Sequence, residues 1–320
     1  MSELVLKPKI KLDIAKSPHI HSKWSTKHAM WLVIISLIPS VISALLFFGI
    51  AQLMIIAVSV GFAVVTETII KTIRKQPISI NDGSAIITGI LLALILPPNF
   101  SLFLTAIGAV VAVGIGKEVF GGLGFNIFNP ALVGRAFLQA AFPVGITTWT
   151  KPSFTDAVSS ATPLSLMKFE NKFESINNLF WGNIGGSLGE TSAIAILIGA
   201  VFLLATGVIN YRIPLAMVLS AIFFGGIFWV LNPAQFPNPL FHLFAGGFLF
   251  GAVFMATDWV TSPLYAKGML IYGSAISLVV IIIRLYGGLP EGVMYSILLL
   301  NSFVPIINKF TKPQIFGVEK

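Results

Sequence analysis

The chain has 320 residues, of which 56% are hydrophobic and 10% are charged, and it contains no cysteine. Soluble globular domains carry about 25% charged residues, so this composition predicts a membrane protein. Without cysteine the chain cannot itself hold a thiolate-ligated iron–sulfur cluster, a disulfide or a c-type haem. The formal net charge of +8 is interpreted as loops that orient the chain in a membrane, and not as a nucleic-acid surface.

Ten apolar segments follow one another along the chain, several of them close to the roughly 20 residues that cross a bilayer. The third and fourth segments are short and are joined by the tight turn "LPPNF". We therefore predict an all-α polytopic membrane protein with about ten transmembrane helices. The predicted segments are residues 30–48, 50–70, 84–97, 101–116, 129–149, 192–209, 213–231, 240–257, 268–284 and 292–308.

The basic residues predict how the chain is oriented. If the N-terminus is cytoplasmic, the only basic residues on the outer side are Lys151, Lys168, Lys172 and Arg284. Basic residues concentrate on the cytoplasmic side of membrane proteins, so both termini are expected there. The four histidines offer no pair spaced for haem within the membrane; they are His19, His21, His28 and His242.

This orientation divides the chain into five parts. Residues 1–28 form a cytoplasmic arm, 29–149 a first membrane half of five helices, and 150–191 an external loop. Residues 192–308 form a second membrane half of five helices, and 309–320 a cytoplasmic tail. Because each half has an odd number of helices, two repeats would have to be inverted, as in many transporters.

The external loop contains "TDAVSSATPLS", residues 155–165, in which Thr162 directly precedes Pro163. Threonine at the N-cap followed by proline at the first helical position predicts a helix start. The apolar residues that follow predict a helix along the membrane surface: Leu164, Met167, Phe169, Phe173 and Ile176. This structural role would explain Thr162 without any ligand. Alternatively, a helix N-terminus favours phosphate, and the Thr162 hydroxyl could carry a phosphoester.

The segment "FNIFNPALVGR", residues 125–135, contains a second candidate site. Asn126 and Asn129 are three positions apart, so on a helical turn both amides would face one side. Amide donors and acceptors suit the uracil-like edge of an isoalloxazine ring. The alternative is that Asn129 only caps a helix that begins at Pro130.

The segment "GSLGETSAI", residues 186–194, precedes the sixth apolar segment. Glu190, Thr191 and Ser192 could cap that helix, while the glycines would let backbone approach a ring or a phosphate. The segment lies at the same predicted outer face as Thr162, so it is either a cap or a wall of the same site. Other ionisable residues in or beside apolar segments are candidates by default, with capping as the alternative: Glu67, Asp82, Glu118, Arg135 and Asp258.

A family resemblance rests on several segments in a fixed order. "DAVSSAT", residues 156–162, resembles the covalent flavinylation motif D-x-x-S-G-A-T, in which the final threonine bonds the phosphate of FMN. Together with its neighbours, it is similar to the RnfD/NqrB family, the membrane components of Rnf complexes and of the sodium-pumping NADH–quinone reductase. The short N-terminal part is closer to the Rnf branch. The supporting segments are "SPHIHSKWSTKHAM", "NDGSAIITGILLALILPP", "GKEVFGGLGFNIFNPALVGRAFL", "GSLGETSAIAILIGA", "FMATDWVTSPL" and "PEGVMYSILLLN".

The resemblance implies that FMN is esterified to Thr162 by a flavin transferase outside the bacterial cytoplasmic membrane. It also implies that the transferase recognises Asp156, Ser159, Ser160 and Ala161. Ser160 stands where the motif usually has glycine, so a small residue is kept but the motif is not matched fully. In this interpretation Glu190 and Thr191 belong to the wall of the FMN site.

The resemblance further implies a non-covalent riboflavin at Asn126 and Asn129. The expected function is that of a membrane subunit of an Rnf-type ion-translocating ferredoxin:NAD oxidoreductase, with electron transfer coupled to Na⁺ or H⁺ transport. The expected partners are other Rnf membrane and peripheral subunits, including a second subunit with covalent FMN and iron–sulfur subunits. The alternative is an inverted-repeat solute transporter or channel without a redox cofactor, since ten spans and buried polar residues suit that class equally.

Overall fold

The computed structural model describes residues 25–150, 161–182 and 184–313, and no strand is present in these residues. The first five helices are α1 (Thr26–Phe48), α2 (Gln52–Ile73), α3 (Ser84–Leu94), α4 (Leu102–Gly114) and α5 (Pro130–Ala141). Three shorter helices follow, namely α6 (Pro143–Thr147), α7 (Pro163–Glu170) and α8 (Ile176–Trp181). The remaining helices are α9 (Ala193–Ala205), α10 (Arg212–Leu231), α11 (Pro239–Phe244), α12 (Phe248–Phe250), α13 (Ala266–Tyr286) and α14 (Val293–Thr311).

Each of the ten predicted apolar segments overlaps a helix, and two of them are broken. The fifth segment is divided between α5 and α6 at Pro143, which cannot donate to the preceding turn. The eighth segment is divided between α11 and α12 at Gly246, whose φ is +62°. After α12 the same segment continues as a π-helical turn, Gly251–Met255.

Six helices in the described residues are long and apolar enough to cross a membrane: Thr26–Phe48, Gln52–Ile73, Leu102–Phe120, Arg212–Leu231, Ala266–Tyr286 and Val293–Thr311. Two further apolar helices, α3 and α9, are shorter. The 11 residues of α3 rise only about 16 Å, against a hydrocarbon layer of about 30 Å. The all-helical polytopic membrane fold is confirmed, while the number of about ten spans stays a prediction.

The short helix α3 is enclosed by protein. Gly89 brings its backbone against α2, since a Cβ there would lie 2.6 Å from the Cα of Val60. The Ser59 hydroxyl donates to the Gly89 carbonyl at 2.7 Å. Small residues allow membrane helices to approach this closely, and the hydroxyl bond adds to the contact.

The two halves of the chain show the same order of helix contacts. In the first half α2 packs on α3 and α4, and α4 packs on α5; in the second half α10 packs on α11 and α13, and α13 packs on α14. The first helices of the two halves, α1 and α9, pack on each other. This is the pattern that two repeats would give, and their inverted relationship stays a prediction.

The helix predicted after Thr162 is present as α7, although it is shorter than predicted. Thr162 is its N-cap, and its Oγ1 accepts from the Ser165 N–H at 3.2 Å. Asn171 adopts a left-handed conformation (φ 50°) and ends the helix. The predicted apolar stripe is therefore interrupted, because Phe173 lies beyond the helix and Ile176 begins α8.

Side-chain contacts fix α7 against the second half. Leu164 and Met167 are buried in a small apolar cluster with Phe241 of α11. The Lys168 ammonium donates to three carbonyls at the end of α13 and just beyond it, those of Ile283 (3.0 Å), Arg284 (3.2 Å) and Leu289 (3.0 Å). A cation at a helix C-terminus satisfies carbonyls that lack helical partners. Burial lowers the pKa of Lys168.

Candidate functional site

Thr162, Glu190 and Thr191 line one pocket, although Thr162 and Glu190 are 28 positions apart in the sequence. We call it the threonine pocket; Arg135, Trp149 and Glu291 also line it. Gln139, Ile146, Thr147, Leu164 and Leu289 complete much of its lining, so polar and apolar side chains both face it. The structure thus brings together the two sequence segments that were predicted to share an outer site.

Thr162 enters the threonine pocket from the N-terminus of α7. Its hydroxyl lies 2.9 Å from the Ser165 hydroxyl and is partly buried. Ala161, beside it, is exposed. The other predicted recognition residues, Asp156, Ser159 and Ser160, lie outside the described residues.

The segment that carries Glu190 is anchored on the end of α3. The N–H groups of Leu188 and Gly189 donate to the carbonyls of Leu96 (3.1 Å) and Leu94 (2.7 Å). A Cβ at Gly189 would lie 2.7 Å from the Cβ of Leu94. The close backbone approach expected in this glycine-rich segment is thus made at Gly189 to a helix, whereas Gly186 faces the pocket.

The cap expected in the same segment is made by Ser192. Its hydroxyl accepts from the Ala195 N–H at 3.3 Å and begins α9. Glu190 and Thr191 are not the cap, so their side chains are available to the pocket.

Arg135 of α5 forms an ion pair with Glu190 inside the threonine pocket. The guanidinium Nη1 lies 3.2 Å from Glu190 Oε1, and each side chain is only 7% exposed. Burial raises the pKa of Glu190, and the nearby Glu291 carboxylate acts in the same direction, while Arg135 opposes both. The Arg135 Nε and the Thr191 hydroxyl are buried without a hydrogen-bond partner in the described part of the chain. Buried polar groups are nearly always paired, so these two indicate a ligand or water in the pocket.

Two glycines between α11 and α12 leave room for the carboxylates of Glu190 and Glu291 at the pocket wall. A Cβ at Gly246 would overlap the Glu291 carboxylate, and a Cβ at Gly247 would overlap that of Glu190. Glu291 is held by the Gly247 N–H at 3.2 Å and by the Arg284 guanidinium at 3.3 Å. The break in the eighth apolar segment therefore shapes this pocket.

Asn126 and Asn129 line a second pocket of about 820 Å³, which we call the asparagine pocket. Ser84, Thr88, Lys117 and Asp258 also line it. The two asparagines do not lie on a helical turn as expected, because α5 begins only at Pro130. They nevertheless face the same pocket.

Asn129 has the capping role that was considered as an alternative. Its Oδ1 accepts from the N–H groups of Ala131 (3.1 Å) and Leu132 (3.3 Å). Its Nδ2 lies 3.4 Å from the Met255 carbonyl in the π-helical turn. π-Helical turns inside helices often mark functional sites. Asn126 donates to the Phe128 carbonyl at 3.2 Å.

The charged residues of the asparagine pocket have partners. Lys117 donates to Glu67 at 2.8 Å and to the Ser84 hydroxyl at 2.6 Å. Asp258 accepts from the Thr261 hydroxyl at 3.1 Å and the Val260 N–H at 3.4 Å. Glu67 and Asp258 were predicted as candidate residues from their positions in or beside apolar segments. Lys117 was not predicted as a site residue.

The remaining ionisable candidates lie outside both pockets. Asp82 accepts from the Ser84 N–H at 2.8 Å, so it supports the start of α3. Glu118 is fully buried, and neither of its carboxylate oxygens has a partner in the residues described. Within those residues, no group of three or more His, Cys, Asp or Glu could hold a metal ion.

The two pockets lie at different levels of the same helix. Asn129 and Pro130 at the start of α5 line the asparagine pocket, and Arg135 lines the threonine pocket. Asn129 and Arg135 are six positions apart, which corresponds to about 9 Å of helix rise. The threonine pocket, with a hydroxyl at a helix start, a partly unpaired guanidinium and the indole of Trp149, fits a phosphorylated aromatic ligand such as FMN.

The fold and the pockets define an all-helical polytopic membrane protein with two pockets, each containing several polar side chains, at different levels of one short helix. The model of the NQR2, RnfD, RnfE family matches residues 13–317. The chain therefore belongs to this family.

Curated relatives match over nearly the whole chain. The chain is 44% identical over 315 residues to the D component of the Na⁺-translocating ferredoxin:NAD⁺ oxidoreductase complex of Acetobacterium woodii, with 97% of each chain covered. It is 40% identical over 336 residues to the D component of the proton-translocating ferredoxin:NAD⁺ oxidoreductase complex of Clostridium ljungdahlii, with both chains covered fully. It is 33% identical over 348 residues to the D component of the ion-translocating oxidoreductase complex of Yersinia enterocolitica, covering 97% of this chain and 99% of the relative.

Proposed function

We propose that the chain is the D component, a membrane subunit, of an Rnf-type ion-translocating ferredoxin:NAD⁺ oxidoreductase. We further propose that it carries FMN covalently on Thr162 and riboflavin non-covalently in the asparagine pocket. The relatives' names support the first part. The observation that supports covalent FMN is that Thr162, Glu190 and Thr191 line a single pocket. Family membership favours this function over the solute transporter or channel.

The residues of the threonine pocket would hold and orient FMN. The start of α7 favours the phosphate attached to Thr162, because the N-terminus of a helix is the positive end of its dipole. The contacts of Leu164, Met167 and Lys168 fix α7, so the attachment point has a defined position. When bound, FMN supplies the electron-transfer chemistry, and the protein supplies position and charge.

The asparagine pocket would hold riboflavin through neutral polar groups. Asn126, Ser84 and Thr88 supply the amide and hydroxyl groups of the lining, which are the kinds of group that bond a ring edge. The charge of Lys117 is balanced by Glu67. Because α5 separates the two pockets by about 9 Å of helix rise, it would lie between two successive electron carriers.

The expected setting is a multi-pass subunit of the bacterial cytoplasmic membrane, with both termini in the cytoplasm and Thr162 outside. A flavin transferase would attach FMN there, and other Rnf subunits, including a second covalent flavoprotein and iron–sulfur subunits, would exchange electrons with it. The coupling ion is Na⁺ or H⁺, since relatives of 44% and 40% identity are named for different ions.

Covalent attachment is tested by expressing the chain with a flavin transferase and following flavin fluorescence in a denaturing gel. We expect a fluorescent band for the wild type and none for Thr162→Ala, because the phosphoester needs the hydroxyl. Thr147→Ala is the matched control, since Thr147 also lines the threonine pocket but does not begin α7. A fluorescent Thr162→Ala band would show that the attachment point lies elsewhere.

A further inference from the structure

We propose that Arg135 and Glu190 form an opposed charge pair that sets the reduction potential of the flavin on Thr162, with Arg135 raising it and Glu190 lowering it. This inference rests on the proposed function, because it concerns the same pocket. It assigns an electrostatic role to two residues that lie at the pocket wall and not at the attachment point.

Arg135 has more hydrogen-bonding capacity than the described residues use. A guanidinium has five N–H donors, and the one hydrogen bond found for Arg135 is that of Nη1 to Glu190. Its Nε is buried without a partner. Arg135 also lies on α5, within an apolar segment, where a charged side chain is costly and usually functional.

Arg284 shows what a structural arginine looks like in this protein. It is fully buried, and its two terminal nitrogens donate to the carbonyls of His242 and Ala245 and to the Glu291 carboxylate. Its Nε, like that of Arg135, has no partner in the described residues, so the two arginines differ in the partners of their terminal nitrogens. The hydrogen-bond acceptors of the Arg284 terminal nitrogens are therefore supplied by the protein itself. Arg135 has a single such partner among the described residues, Glu190, and it lines the threonine pocket.

The pocket assigns Arg135 to the ring and not to the phosphate. The phosphate end of FMN would be fixed at Thr162, which is partly buried and has its own helix start. Arg135 and Thr191 are 6% and 1% exposed, so both are more buried than Thr162 itself. The remainder of the ligand must continue from Thr162 into this inner part of the pocket.

The effect on potential follows from charge. Adding an electron to an isoalloxazine ring places negative charge on it, which a nearby cation stabilises and a nearby carboxylate disfavours. Such interactions are stronger in a buried site than in water. Glu291 lines the same pocket but is paired with Arg284, so removing the charge of Arg135 or of Glu190 leaves the other member of that pair uncompensated. The pair can therefore set the potential in either direction.

The test is a spectroelectrochemical titration of the full chain, flavinylated in the cell. The transition that disappears in Thr162→Ala belongs to FMN. We expect Arg135→Gln to lower its midpoint potential and Glu190→Gln to raise it. A tenfold change in stabilisation of the one-electron-reduced form corresponds to about 59 mV. Arg135→Lys keeps the charge and should shift the potential less.

Two further variants separate charge from folding. The double variant Arg135→Gln/Glu190→Gln leaves no unpaired buried charge, and its potential should lie between those of the single variants. Arg212→Gln is the control, because Arg212 contacts Tyr211 at the start of α10 and lines neither pocket.

The outcomes distinguish this inference from the proposed function. Single variants that shift the potential in the same direction, or leave it unchanged with flavin attached, would overturn the charge-pair assignment. Loss of covalent fluorescence in Arg135→Gln with a normal potential for the attached fraction would assign Arg135 to the phosphate instead. Both results leave Thr162 as the attachment point, which the Thr162→Ala gel tests separately.

Discussion

At the scale of single residues, Asn129 combines a structural and a candidate binding role. Its side-chain oxygen caps α5, and its side-chain nitrogen points to the π-helical turn beside the asparagine pocket. The two roles use different atoms of one amide. A substitution that keeps one atom type can therefore separate them.

Asn129→Asp should keep α5 but lose riboflavin, because aspartate caps helices as well as asparagine does yet has no N–H donor. Riboflavin is measured by chromatography after acid extraction, and folding by the monodispersity of the purified protein. Asn178→Asp is the control, since Asn178 lies on α8 and lines neither pocket. Full retention of riboflavin in Asn129→Asp would show that the Asn129 amide N–H is not needed to bind it.

Residue-scale predictions from sequence succeeded where the signal is local. Thr162 before Pro163 and Asn129 before Pro130 are cap patterns, and both residues are N-caps in the structure. The Arg135–Glu190 pair joins residues 55 positions apart and leaves no local pattern. Lys117 and Glu67, 50 positions apart, were missed as a pair for the same reason.

At the scale of elements, the segment before α9 packs against the C-terminal end of α3 and forms hydrogen bonds with it. It supplies N–H groups to carbonyls that a helix end cannot satisfy internally, and Gly189 makes the contact possible. The same segment then presents Glu190 and Thr191 to the threonine pocket. The stability of this contact and the shape of the pocket are thus linked.

Gly189→Ala should destabilise the protein by about 1–3 kcal/mol, because the new methyl group would overlap Leu94 and force a backbone shift. Thermal unfolding in detergent would show a lower transition temperature. Gly61→Ala in α2 is the matched control: an added Cβ meets nothing within 4 Å, and alanine favours a helix. Equal transition temperatures for the two variants would contradict the close contact at Leu94.

Sequence periodicity located the elements but not their interruptions. All ten apolar segments overlap helices, because hydrophobicity over some 20 residues is a strong signal. The break at Gly246 depends on the approach of Glu190 and Glu291 from other elements, so the apolar run alone did not reveal it. The predicted surface helix was too long because Asn171 ends it in a left-handed conformation.

At the scale of the whole molecule, the absence of cysteine makes the predicted orientation directly testable. Phe169 and Leu264 are 70% and 69% exposed, and they are expected on opposite sides of the membrane. In intact cells a membrane-impermeant maleimide should label Phe169→Cys but label Leu264→Cys only after permeabilisation. The unlabelled wild type is the background control, and the reverse pattern would invert the topology.

The short span of α5 between the two pockets has an electrical consequence. If the two pockets hold the proposed flavins, an electron would pass between them along about 9 Å of helix rise, from the level of Asn129 to that of Arg135. Moving one charge through 100 mV changes its energy by about 2.3 kcal/mol. The part of the transmembrane voltage that falls across this step would therefore drive or oppose the transfer of the electron along α5.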